Sequence, residues 1–81
     1  MSQPYIIVNE HSPEQCEAME AGIPDIPQQW KGTNFYCTCP GGVHGYFMIV
    51  DADSAEDLMR LLPVPFKAGN TKALPLEVFR L

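Results

Sequence analysis

Two helix-start signals, each preceded by a β-rich run, impose an alternating order on this 81-residue chain. The first is "HSPEQCEAMEAG". Ser12 is a good N-cap, Pro13 suits the first helical position, and Gln15 completes a capping-box pattern. A helix is predicted from Pro13 to about Ala21, with Gly22 as its stop. Cys16 and Met19 share one face of it, while Glu14, Glu17 and Glu20 face water. The second signal is "DADSAEDLMRLL". Asp53 or Ser54 caps a helix in which Leu58, Leu61 and Leu62 recur at helical spacing, and Pro63 ends it.

Strands occupy the intervals. Tyr5 to Asn9 is β-rich. Asn34 to Cys39 and Tyr46 to Val50 read as a hairpin around "PGGVHG", and Leu76 to Leu81 reads as a final strand after a loop from Pro63 to Ala73. The proline-broken stretch "IPDIPQQWKGT" connects the first helix to the hairpin, and its Trp30 is expected to plug one end of the core. The order β-α-β-β-α-β in a chain of this length predicts one domain over residues 1–81. Its fold class is α+β, ferredoxin-like, with a four-stranded antiparallel sheet and two helices on one face.

Two helices cover only one face of such a sheet. Yet Tyr5-Ile6-Ile7-Val8 and Tyr46-Phe47-Met48-Ile49-Val50 are apolar at both parities, where a strand facing water on one side should alternate. The expected cover is a second copy of the chain, sheet against sheet, as in dimeric α+β barrels. The competing expectation is that the Trp30 loop or the Pro63–Ala73 loop folds across.

Charge excludes several classes of partner. Ten acids oppose five bases, for a net charge of -5, and Lys31, Arg60, Lys67, Lys72 and Arg80 are scattered. Phosphate backbones need a clustered basic footprint, so neither nucleic acid nor an anionic membrane is an expected partner. No stretch approaches the roughly 18 apolar residues of a membrane span, and no secretory signal is evident. The expected location is the cytoplasm, with its three cysteines reduced.

Topology then gathers the chemistry. In this fold the connection at His11-Ser12, the Pro40–Gly45 turn and the Pro63–Ala73 loop share one edge, with Cys16 just beneath. Both histidines, Cys39, Lys67 and Lys72 fall there. Cysteine and histidine together suit soft or borderline ions, so the expected ligands for zinc, copper or nickel are His11, Cys39 and His44, with Cys16 next as a fourth and Cys37 last. The spacing matches no zinc-finger pattern, and Cys16 and Cys37 also read as small buried hydrophobes. The runner-up is a small anionic ligand, bound or transformed in a dimeric barrel by His11, His44 and the Lys67–Lys72 loop. A reactive thiol at Cys16 and a purely structural dimer are further alternatives.

At "EHSPEQC" and "CPGGVHGYFMIVDADSAEDLMRLLP" the chain resembles a group of small uncharacterised prokaryotic proteins with ferredoxin-like or dimeric α+β-barrel domains. Their pattern is His-[Ser/Thr]-Pro-Glu-x-Cys, then Cys-x-x-Gly-x-His-x-Gly-Tyr, then an acidic helix ending in Leu-Pro. His11, Ser12, Pro13, Glu14 and Cys16 match the first part. Cys39, Gly42, His44 and Tyr46 match the second, with the departure that Gly45 and Tyr46 follow His44 directly. The resemblance implies the same fold and draws attention to His11, Cys16, Cys39 and His44. It implies no particular reaction.

Overall fold

The computed structural model describes residues 2–81. Strand β1 spans Gln3–Glu10, β2 Tyr36–Cys37, β3 Gly45–Ala52 and β4 Asn70–Pro75; helix α1 spans Cys16–Ala21 and α2 Ala55–Leu61. The four strands form one sheet in the order β2-β3-β1-β4, every neighbouring pair antiparallel. This is the expected α+β arrangement, consistent with a ferredoxin-like fold.

Alternation along β1 and β3 separates the two faces. Tyr5, Ile7 and Asn9 point inward from β1, and Tyr46, Met48, Val50 and Ala52 from β3. They pack with Met19 of α1 and with Leu58 and Leu62 at and just beyond α2, so both helices lie on one side of the sheet. Burying such side chains stabilises by about 1.5–3 kcal/mol each. Trp30 joins this core at 2% exposure, the plug anticipated for it. Leu61 does not join it: it stays 39% exposed on the outer side of α2. Phe66, on a short turn of 3-10 helix at Val64–Lys67, fills the space beside Tyr46, whose hydroxyl donates to the Phe66 carbonyl at 2.8 Å.

The outward face is apolar and uncovered. Val8 and Phe47 are each 37% exposed, Ile49 45% and Leu74 47%. Gly32, Thr33 and Asn34, just after Trp30, border this face beside Tyr36 and Ile49 but leave both exposed.

Helix starts follow their sequence signals. A 3-10 turn at Pro13–Gln15 leads directly into α1, and the Ser12 N–H donates to Gln15 Oε1 at 2.9 Å. At α2, Ser54 is the cap, accepting the Asp57 N–H at 3.1 Å.

Two strands depart from expectation. The hairpin's first strand, expected over Asn34 to Cys39, pairs only at Tyr36 and Cys37, because Cys39–Gly41 winds into a 3-10 turn that Gly42 closes at φ +87°. The last strand is Asn70–Pro75, not Leu76 to Leu81, and so replaces part of the expected Pro63–Ala73 loop. Its partner explains the shift. Tyr5 pairs with Pro75 and the Leu76 N–H bonds the Pro4 carbonyl, so anything further along would run past the start of β1 at Gln3. Val78, Phe79 and Leu81 consequently stand exposed beyond the sheet.

Candidate metal centre

Three connections meet at one end of the sheet, and two glycines let them approach. The His11 N–H donates to the His44 carbonyl at 3.0 Å, extending the β1–β3 ladder into the hairpin. This crossing runs close past Gly45, where any Cβ would clash with the Asn9 carbonyl. Gly69 does the same on the other side of β1: it turns the chain at φ +70°, with its missing Cβ aimed at the Glu10 carbonyl. Thr38 closes the hairpin, its N–H bonded to the Gly45 carbonyl at 3.0 Å.

This frame brings His11, Cys16, Cys39 and His44 together. One donor atom from each lies within 4.8 Å of all the others, and all four residues are half-buried. Cys16 Sγ is 3.1 Å from His11 Nε2, 3.0 Å from His44 Nδ1 and 3.3 Å from Cys39 Sγ, and Cys39 Sγ is 3.6 Å from His11 Nε2. The four could hold a metal ion. A tetrahedral ion with bonds of about 2.0–2.3 Å separates its donors by about 3.3–3.8 Å. The three spacings from Cys16 need a few tenths of an ångström of outward movement, and the set as a whole, spread over 4.8 Å, must draw together around an ion.

His11 is oriented from behind. Asn9 is the one buried polar residue of the core among those described, at 3% exposure. Its Nδ2 donates to the Ala68 carbonyl and to Thr71 Oγ1, each at 2.7 Å. Both amide hydrogens are thus used, and Asn9 Oδ1 remains an acceptor 2.7 Å from His11 Nδ1. His11 Nδ1 therefore carries the proton, and the lone pair on Nε2 faces the two sulfurs. Burial, and secondarily the neighbouring His44, holds the His11 imidazole below its ordinary pKa. The neutral ring is the form that binds a metal.

The other expected participants lie outside this group. Cys37 is exposed on β2 rather than buried, and its pKa is pushed up chiefly by a hydrogen bond with the Cys39 side chain. Lys72 sits opposite Val8 in the β1–β4 register and so shares the outward face, whereas the histidines gather with Asn9 on the helix side. Lys67 is exposed at the end of its 3-10 turn. The lysine-and-histidine set expected for an anionic ligand is split across the sheet by Lys72.

Reading the sequence overlooked Asn9. It carried a signal: an amide at the inward parity of β1, after Tyr5 and Ile7 and two residues before a histidine. A polar group on a buried face must find partners.

No family model matches the chain, and no curated protein and no solved structure matches it either. Among the described residues, no helix is long and apolar enough to cross a membrane.

Proposed function

We propose that this protein is a small transition-metal-binding protein that holds one tetrahedral ion, zinc before copper or nickel, through His11 Nε2, Cys16 Sγ, Cys39 Sγ and His44 Nδ1. The observation that carries this reading is the position of Cys16, 3.0–3.3 Å from each of the other three donors. Two thiolates and two imidazoles in a tetrahedron are the donor set zinc takes. Four protein ligands leave no open position, so the ion serves as a clamp or a cargo rather than as a Lewis acid.

Cobalt(II) tests this directly, because its visible absorption reports coordination geometry. The reduced protein should give the intense bands of a tetrahedral dithiolate site at one ion per chain, and zinc should bleach them. Cys16→Ser should weaken the sulfur-to-cobalt charge-transfer band, leaving only the contribution of Cys39, and bind far more weakly. A weak octahedral spectrum, or a Cys16→Ser spectrum identical to that of the parent, would overturn the assignment.

A further inference from the structure

The two sulfurs of the cluster are in contact with each other, and that contact has a chemistry of its own. Cys16 Sγ and Cys39 Sγ lie 3.3 Å apart, both thiols are free, and both residues are partly open to solvent. A disulfide places its sulfurs about 2.05 Å apart, so closing the pair requires a movement of little more than an ångström. The two residues sit on different connections, one opening α1 and the other the hairpin turn, and are 23 positions apart in the chain. Neither histidine lies between the sulfurs: His11 Nε2 sits beside the pair, 3.1 Å from Cys16 Sγ and 3.6 Å from Cys39 Sγ, and His44 Nδ1 is 3.0 Å from Cys16 Sγ.

We propose that Cys16 and Cys39 form a peroxide-oxidisable pair whose disulfide and the metal ion are mutually exclusive. This rests on the metal-binding reading for its consequence, though not for its chemistry. The oxidant is a hydroperoxide. The Cys16 sulfur attacks one peroxide oxygen and the O–O bond breaks. The sulfur is oxidised to a sulfenic acid, and the departing oxygen leaves as water with the thiol proton. The Cys39 sulfur then attacks the sulfenic sulfur. An S–S bond forms, the S–O bond breaks, and a second water departs with the Cys39 proton. Two thiols and one hydrogen peroxide thus give one disulfide and two waters. Starting from the metal-bound dithiolate, the two protons come from solvent and the divalent ion is released. The disulfide removes both anionic ligands at once and leaves two neutral imidazoles, which hold a borderline ion far more weakly. A thiol reductant reverses the step by disulfide exchange.

Cys37 is the natural competitor, since it is exposed and only two residues from Cys39. Its location on β2, outside the four-donor group, assigns it no part in the pair.

The test treats metal-free, reduced protein with equimolar hydrogen peroxide and maps the product by peptide mass spectrometry. The expected product is a single intramolecular Cys16–Cys39 disulfide in the parent and in Cys37→Ser. In Cys39→Ser, oxidation should stop at a Cys16 sulfenic acid that a cyclic 1,3-dione traps. Zinc-loaded protein should release its ion, read with a chromogenic chelator, in step with disulfide formation, and reductant should restore uptake. A disulfide through Cys37, over-oxidation without a disulfide, or zinc retained after the disulfide has formed would each overturn the proposal. The two readings fail separately. Reduced protein that never takes up zinc but still forms the Cys16–Cys39 bond sinks the metal site alone. Protein that binds zinc but forms no such bond sinks the redox pair alone.

Discussion

Asn9 decides more about this site than its position outside the donor set suggests. It occupies a core position that a third apolar residue would fill more cheaply, and it is retained there with three hydrogen bonds. Two of them hold the segment entering β4, and the third sets which nitrogen of His11 is free. Residues that orient a metal-binding histidine typically account for about 10–100-fold in affinity. Asn9→Ala should therefore weaken zinc binding by a factor in that range, read by competition against a chromogenic chelator. His11 rotamer disorder should accompany the loss in NMR spectra of the imidazole. Unchanged affinity in a folded Asn9→Ala protein would show that the Asn9–His11 contact does no orienting. At this scale the sequence was readable where chemistry is rare: two histidines and three cysteines leave few candidates. The sequence also ranks Cys16 ahead of Cys37, and Cys16 is the one in the four-donor group. It does not show that Cys37 stays exposed, which the two-residue β2 decides.

Helices announced themselves and edge strands did not. Ser12-Pro13 and Ser54 are local signals, since a cap satisfies backbone N–H groups within the next three residues. β4 depends on a partner far away in the chain. Its sequence, Asn70-Thr71-Lys72-Ala73-Leu74-Pro75, is polar and of low β propensity, and what makes it a strand is pairing with β1 and the Asn9 bonds to Ala68 and Thr71. The more apolar Leu76 to Leu81 looked the better strand, yet only its first residue meets β1, through the Leu76 N–H to the Pro4 carbonyl. Residues 77–81 should therefore contribute little to the fold. Their deletion should change unfolding free energy by no more than about 0.5 kcal/mol, as for surface changes generally, measured by denaturant titration at matched protein concentration. A loss of several kcal/mol would mean that the tail packs against something in solution.

At the scale of the molecule, the same alternation that builds the core leaves an apolar sheet face open. In register, Ile6 lies beside Ile49 and Leu74, and Val8 beside Phe47, while Tyr36 stacks on Phe47 with ring centroids 5.2 Å apart. The face runs through Tyr36, Phe47, Ile49, Val8, Ile6 and Leu74, with Lys72 opposite Val8 as its charged margin on β4. A second copy meeting it across a two-fold axis would match apolar surface to apolar surface. Light scattering should then give the mass of two chains for the parent and of one chain for Phe47→Glu. A parent that is monomeric across the accessible concentration range contradicts the dimer. The candidate metal centre lies at the end of the sheet on the helix side, where His11 joins Asn9, so Phe47→Glu should leave any metal content unchanged.

For a chain of 81 residues the modest core makes a cross-link valuable. An ion held by His11, Cys16, Cys39 and His44 would tie the end of β1, the start of α1 and both sides of the hairpin turn. The most direct measurement is native mass spectrometry of untagged, reduced protein purified without chelator, paired with elemental analysis. One zinc per chain, lost in His44→Ala, is the predicted result. Parent protein that carries no metal, and stays empty after zinc is added under reducing conditions, would contradict it.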